Sequence, residues 1–304
     1  MILVCATLSS LLSLGIAGTA SAVIIDSGDG TGNTAAPSPD PGWSYVGTRS
    51  SFTAVYLGDG WVLTAGHVGA GDFTLRDASL GEVVYPHVPG TEVSIRNGDG
   101  SVADLLVFAI APYPVMPLLP IATTPPPQGT DLILIGNGRN RGAVTSWDPN
   151  GPPPPGPIFG YEWASGKSLR WGTNEVEYYP TAPVLGTWAF ASYFDEAGSA
   201  HEGQATNGDS GGAAFAYDGS DWELAGLIYA IGIYTNQPAN TSLYQQLTYA
   251  ADLSSYRDEI LDVVGLPEPT GGLPAGVMLI LALRRRRARS VLPPPLGSQQ
   301  RRIH

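Results

Sequence analysis

The chain has 304 residues, 43% of them hydrophobic, with 39 glycines, 27 prolines and a single cysteine. That is enough apolar material for one large domain or two fused lobes. Fifteen basic residues face 27 acidic ones, a net charge of −12, and a surface of that sign repels phosphate backbones and anionic membranes, which argues against nucleic-acid binding. With Cys5 as the only cysteine, a disulfide framework, a cysteine nucleophile and a thiolate metal site are all excluded from the rest of the chain.

The first 22 residues carry no charged side chain. Ile2–Ile16 is mostly apolar yet too short to span a bilayer comfortably, and Ala20-Ser21-Ala22 fits the small-residue site at which a secretory signal peptide is cut. Residues 1–22 are therefore expected to be a signal peptide, which makes the chain an exported one. Residues 26–33, Asp-Ser-Gly-Asp-Gly-Thr-Gly-Asn, are rich in oxygen ligands but lack the full pattern and the closing bidentate glutamate of a calcium loop. A flexible polar loop is expected there, and no metal or cofactor is expected in the protein.

The middle of the chain reads as β. Short apolar or alternating runs occupy 52–57, 61–65, 101–110, 131–135, 213–217 and 222–233, with Gly, Pro and Asn-Gly or Asp-Gly pairs between them. Many short strands suggest antiparallel barrels or a sandwich. Pro125-Pro126-Pro127 suits a crossing between two lobes, and Pro152–Pro155 a surface loop. Leu253, Tyr256, Ile260 and Val263 share one helical face. Thr248 or Asp252 is expected to cap that helix, and Gly265 with Pro267 to end it.

After Leu266-Pro267-Glu268-Pro269 the chain runs through apolar Leu273–Leu283 to Arg284–Arg287 and Arg289. Eleven residues rise about 16 Å as a helix, well short of a bilayer's hydrocarbon core, and arginines beyond an apolar run stay on the cytoplasmic side. The three-part pattern resembles the PEP-CTERM sorting signal of Gram-negative bacteria. The resemblance implies transient tethering and removal by a sorting transpeptidase. Ser290–His304 extends past the arginines, where such signals usually stop. Between the two end segments, residues 23–269 keep eight basic and 27 acidic residues, a charge of −19.

Three short segments carry chemistry: Thr64-Ala65-Gly66-His67, Asp104-Leu105-Leu106-Val107 and Gly208-Asp209-Ser210-Gly211-Gly212. A serine hydroxyl is a weak nucleophile near pH 7, so it needs a base beside it and a third group to orient that base. Glycines around Ser210 let amide N–H groups approach a reacting carbonyl. The order of the residues narrows the class. An α/β-hydrolase needs its acid and histidine after the serine, and the only histidine after Ser210 is His304. A subtilisin-like enzyme needs its acid before the histidine, where the only nearby candidate is Asp59 in a turn. His67, Asp104, Ser210 is the order that remains.

On these motifs the chain resembles the trypsin-like, chymotrypsin-fold serine peptidases of the bacterial exported type. Trp61–His67 is similar to the family's histidine motif, Gly208–Gly212 is identical to its serine motif, and Gly136-Asn137-Gly138 resembles a family turn. The resemblance covers about 43–265 and implies two packed antiparallel six-stranded β-barrels with a C-terminal α-helix. The first barrel would cover about 43–120, the second about 128–246 and the helix about 249–264, within a domain of 23–265 and ahead of a tail at 266–304. It further implies a catalytic triad of His67, Asp104 and Ser210, an oxyanion hole from Gly208 and Ser210, and substrate-binding positions at Gln204, Asn207 and Tyr229. Gln204 would lie at the base of the primary pocket, where a neutral amide argues against strict Lys/Arg specificity; Glu202 stands near it. Tyr229-Ala230-Ile231 replaces the Ser-Trp-Gly strand that pairs with substrate backbone. Asp209 is expected to be buried, with Arg139 as its partner; the other candidate is the amino terminus Val23-Ile24-Ile25 released by signal cleavage. The function so implied is peptide-bond hydrolysis by a monomeric enzyme acting on polypeptides outside the inner membrane. The alternative is a catalytically weak or inactive surface-binding module on the same fold.

Overall fold

A computed structural model describes residues 23–77, 79–149 and 156–265. The expected signal peptide, the Pro152–Pro155 loop and the sorting tail lie outside the described residues. By compactness the chain divides into residues 1–260, which hold every strand found among the described residues, and residues 261–304, of which 261–265 are described.

The strands, in chain order, are β1 (Ile24–Ile25), β2 (Val46–Arg49), β3 (Phe52–Gly58), β4 (Trp61–Thr64), β5 (Phe73–Asp77), β6 (Gly81–Tyr85), β7 (Val93–Arg96) and β8 (Val102–Ala109). There follow β9 (Asp131–Gly136), β10 (Arg139–Trp147), β11 (Ile158–Lys167), β12 (Arg170–Glu175), β13 (Ala189–Tyr193), β14 (Gly203–Gln204), β15 (Ala213–Tyr217), β16 (Trp222–Ile231), β17 (Thr241–Leu243) and β18 (Leu247–Asp252). Among the described residues one α-helix, α1 (Arg257–Val264), closes the series. Seven strands form the first antiparallel sheet, in the order β6-β5-β2-β3-β4-β8-β7, and six form the second, β12-β9-β15-β16-β18-β13. A β10-β11-β17 sheet and the short β1-β14 pair complete the β structure. The expected class is what the strands build: a double antiparallel β-barrel with a C-terminal helix. No helix among the described residues is long and apolar enough to cross a membrane.

Each sheet wraps its own core. Tyr56, Val62, Phe73, Leu106 and Phe108 fill the first, and Leu132, Leu134, Phe190, Ala214, Ala225 and Ile228 the second. Strands buried on both faces, such as β3, β9 and β15, are the ones visible as apolar runs in the sequence. The strands without such a run include β6, β7, β10 and β11, which expose most of their residues at least partly and so carry no continuous hydrophobic signal. The crossing between the barrels falls just before the triple proline. Leu119 N–H donates to Leu57 O of β3 at 3.0 Å, and Ala122 N–H donates to Leu224 O of β16 at 3.1 Å.

The helix is shorter than its periodicity suggests. Thr248, one of its two expected caps, lies inside β18. Asp252 does cap, but it caps a 3-10 turn at Leu253–Ser255, accepting from Ser254 N–H. The apolar spacing of 253, 256 and 260 survives because the turn and α1 follow one another on a common buried side.

Candidate active site

Strand pairing sets the first half of the site. β4 runs antiparallel to β8 with Thr64 opposite Leu106, and continuing that register brings Gly66 and His67 alongside Asp104. Two hydrogen bonds result. His67 N–H donates to Asp104 Oδ1 at 2.8 Å, and His67 Nδ1 meets Asp104 Oδ2 at 2.7 Å. The carboxylate thereby fixes both the backbone and the ring of the histidine. The His67 side chain is 44% exposed and that of Asp104 20%, so the pair opens to solvent on the histidine's side. Asp104 N–H in turn donates to Thr187 Oγ1 at 2.8 Å. The hydrogen bond to Asp104 raises the His67 pKa above the usual histidine value; partial burial opposes this, and the carboxylate's charge adds to it. Burial raises Asp104, but the bonds from the His67 ring, the His67 amide and the Gly66 amide bring it below the usual carboxylate value.

The serine segment lies against the start of β3. Thr53 N–H donates to Ser210 O at 3.0 Å, and Thr53 Oγ1 donates to Gly208 O and accepts from Asn137 N–H, both at 2.8 Å. Thr64 Oγ1 donates to Thr53 O, and the Phe52 ring meets the His67 ring edge-on at 6.4 Å between centroids. On its other flank the segment joins β16, with Gly211 N–H donating to Ile228 O at 2.7 Å. Gly208 has φ +112° and Gly211 φ +86°, and a Cβ on Gly211 would run into the Thr53 carbonyl, so glycine is required on steric grounds. Asp209 N–H is used by Thr206 O, whereas the amides of Gly208 and Ser210 donate to no acceptor among the described residues. Nor do His67 Nε2 and Ser210 Oγ form a hydrogen bond with each other. Substrate-free hydrolase sites commonly have this looser geometry.

Asp209 is completely buried. Its carboxylate accepts from Thr206 N–H (2.7 Å), Thr206 Oγ1 (3.0 Å) and Val23 N–H (3.4 Å), and from the Gly138 amide. Burial outweighs these bonds and pushes its pKa up to about 6. The expected pairing with Arg139 is not found. Gly136 and Gly138 pack so closely that a Cβ on either would collide with the carboxylate, which leaves no room for a guanidinium, and Arg139 enters β10 with its amide on Thr206 Oγ1.

The segment after Val23 is held in place, which corrects the expectation of a flexible loop at 26–33. Asp26 accepts from the hydroxyls of Tyr161 and Tyr244. The Arg141 guanidinium donates to the carbonyls of Ile25, Asp26 and Gly28. The buried Arg170 guanidinium donates to those of Thr31 and Gly32. β1 pairs with β14, so that Ile24 lies opposite Gln204. Burial lowers the Arg170 pKa to about 10.

Of the expected substrate-binding residues, Asn207 is exposed. Gln204 is 1% exposed, and its amide is taken up by Leu247 O and Thr248 Oγ1 at 3.3 and 3.2 Å. Glu202 is likewise occupied, by Asn174, the Asp195 amide and Ser199, and burial raises its pKa. Tyr229 is 3% exposed, with its hydroxyl on Val184 O at 3.0 Å. Its phenol thus braces the 184–187 loop whose Thr187 holds Asp104, a role that the sequence did not signal. Thr53, Thr187 and Thr206 were also missed, because isolated threonines form no motif.

No family model matches this chain, and no curated protein matches it. Solved structures do. A mutant of human heparin binding protein (CAP37) aligns with a TM-score of 0.50 at 13% identity, covering 79% of this chain and 99% of that one. Neuropsin, a serine protease expressed in the limbic system of mouse brain, aligns at 0.49 and 18%, over 76% and 97%. Kallikrein-related peptidase 10 aligns at 0.47 and 16%, over 75% and 98%. At these identities the first likeness establishes the fold alone: the chain has the chymotrypsin-like double-barrel fold.

Proposed function

We propose that this protein is an exported serine endopeptidase, made as a precursor with a signal peptide at 1–22 and a PEP-CTERM-like tail at 266–304, and acting as a monomer on polypeptides in the periplasm or outside the cell. The observation that carries the reading is the doubly bonded His67–Asp104 couple, set beside a glycine-rich segment in which the amides flanking Asp209 are unengaged. In this mechanism His67 takes the proton of Ser210 as Oγ attacks the acyl carbon, then delivers it to the leaving amine. Asp104 holds the ring in the tautomer with Nε2 free and stabilises the imidazolium. The N–H groups of Gly208 and Ser210 receive the developing oxyanion; losing one such donor typically costs about 3–4 kcal/mol in the transition state. Water then hydrolyses the acyl-enzyme by the same steps.

Signal cleavage after Ala22 completes the site. The Val23 nitrogen already donates to Asp209, and cleavage would turn it into an α-ammonium, a charge partner for the buried carboxylate.

A fluorophosphonate probe applied to the mature protein tests the reading. Ser210 is expected to be labelled, and Ser210→Ala to lose both labelling and proteolysis. An intact mature protein that does not react would overturn it. The rival, a non-catalytic surface module that binds polypeptide, polysaccharide or a partner, is favoured by the unbonded Ser210–His67 pair and by the altered Tyr229-Ala230-Ile231 strand. The same probe decides between the two.

A further inference from the structure

The chain contains one lysine, Lys167, and it stands at the serine segment. It ends β11, donates from Nζ to Ser51 O at 2.5 Å, and lies over the Phe52 ring, 5.1 Å from its centroid. A Cβ on Gly208 would collide with Lys167 Nζ, so the ammonium borders the amide that the peptidase reading assigns to the oxyanion. Lys167 forms no ion pair among the described residues, although acids outnumber bases more than threefold between residues 23 and 269. Arg139 lies close enough to add potential of the same sign, and Asp209, the nearby acid, is sealed from solvent. An ammonium has three donors, and among the described residues only one is used.

The side on which it sits gives it a role. The serine segment has two flanks: β16, joined through Gly211 and Ile228, and the start of β3, joined through Thr53. Substrate backbone on the acyl side follows the 229–231 strand in the peptidase reading. The chain beyond the scissile bond therefore leaves over Ser51 and Phe52, where Lys167 waits. The two ring-to-ring and ion-to-ring distances put the ammonium within about 12 Å of the imidazole, roughly three extended residues.

We infer that Lys167 recognises a carboxylate on the leaving-group side of the substrate, within the first three residues after the scissile bond. The carboxylate belongs either to an acidic side chain or to the substrate's own C-terminus. Phe52 and Ser51 hold the ammonium in place before substrate arrives, so little side-chain entropy is lost on binding. The inference rests on the peptidase reading, and its test separates the two.

Quenched peptides carrying Glu or Gln at each of the three positions, and matched peptides ending in carboxylate or amide, are compared by kcat/KM. Wild type is expected to favour the acidic member of one set by about fivefold, the size of a part-exposed charge pair, and which set responds identifies the source. Lys167→Gln should bring that ratio to about one, Lys167→Arg should keep it, and raised salt should shrink it. Melting curves of both variants check folding. A parallel arm measures affinity of the Ser210→Ala protein for the same peptides by fluorescence anisotropy, without catalysis. Equal kcat/KM across every pair, equal affinity across every pair, or a preference that survives Lys167→Gln would each overturn the inference. A wild type that no fluorophosphonate labels would instead overturn the peptidase reading, and the affinity arm would still decide the role of Lys167.

Discussion

At the scale of single residues, electrostatics makes two pH predictions. In the proposed mechanism the base form of His67 is the neutral ring, whose pKa is raised by the hydrogen bond that it donates to Asp104. Peptidase activity should therefore rise with pH through a midpoint above the ordinary histidine value of about 6.5. Asp104→Asn removes that bond to an anion. It should move the midpoint down and lower kcat on the order of 10⁴-fold, as expected when the tautomer is no longer held; an unchanged profile would remove Asp104 from the mechanism. Asp209 works in the opposite sense on stability. Its folded pKa of about 6 exceeds the ordinary aspartate value of 3.8, so the folded state keeps a proton that the unfolded chain has lost. Stability should fall as pH rises from about 4 to 6, by roughly 3 kcal/mol for a chain still continuous through Ala22. In a chain beginning at Val23 the α-ammonium pairs with the carboxylate, its pKa drops, and that loss should disappear. Glu177 and Glu202 also have raised pKa values and act equally in both forms. The difference between the two melting profiles is therefore the readout, and identical profiles would refute the pairing.

At the scale of elements, the site depends on short connections that tie strands together. Tyr229 of β16 reaches Val184 O, and Thr187 in the same loop reaches Asp104 of β8. Tyr229→Phe removes one part-buried hydrogen bond to the Val184 carbonyl, which costs about 1 kcal/mol. Because that loop orients Asp104, the variant should lose kcat with little change in KM, measured on a soluble peptide; unaltered kinetics would restrict Tyr229 to packing. The amino-terminal arm is a second such element. Asp26→Leu leaves two tyrosine hydroxyls without their shared acceptor and should destabilise the protein by about 2 kcal/mol in urea unfolding. The arm also shows why a polar composition misleads: residues 26–33 contain the Gly, Asp and Ser of a loop, yet their backbone carbonyls are what Arg141 and Arg170 bind.

At the scale of the whole molecule, the two barrels meet at Thr53. Its amide bonds across to Ser210 and its hydroxyl to Gly208 and Asn137, while its carbonyl accepts from Thr64 of its own barrel. Thr53→Val keeps the shape and removes the hydroxyl, leaving the Asn137 amide and the Gly208 carbonyl unsatisfied in a buried place. A stability loss of about 2–3 kcal/mol is expected, together with slower fluorophosphonate labelling of Ser210. Full stability would mean that water replaces the hydroxyl.

The same scale explains what could be read in advance. The six strands expected from apolar or alternating runs all form, because each buries side chains against a barrel core. Exposed strands such as β6 and β10 carry no such signal, and β18 passed for a helix start because its Thr248 and Asp252 are also capping residues. The Arg139–Asp209 pairing failed because adjacency to the Gly136-Asn137-Gly138 turn says nothing of the space left around the carboxylate.

Sequence alone determined the order His67, Asp104, Ser210 with its flanking glycines and a β-rich chain of short strands, since motif chemistry and burial pattern are local properties of the chain; the double barrel was what the resemblance carried by those motifs implied, and the strands build it. Tertiary structure alone decided that Val23 reaches Asp209, that Tyr229 braces a loop, and that the one lysine borders Gly208. Those contacts join residues up to 186 positions apart, and only the closing of the strands into barrels brings such residues within hydrogen-bonding reach.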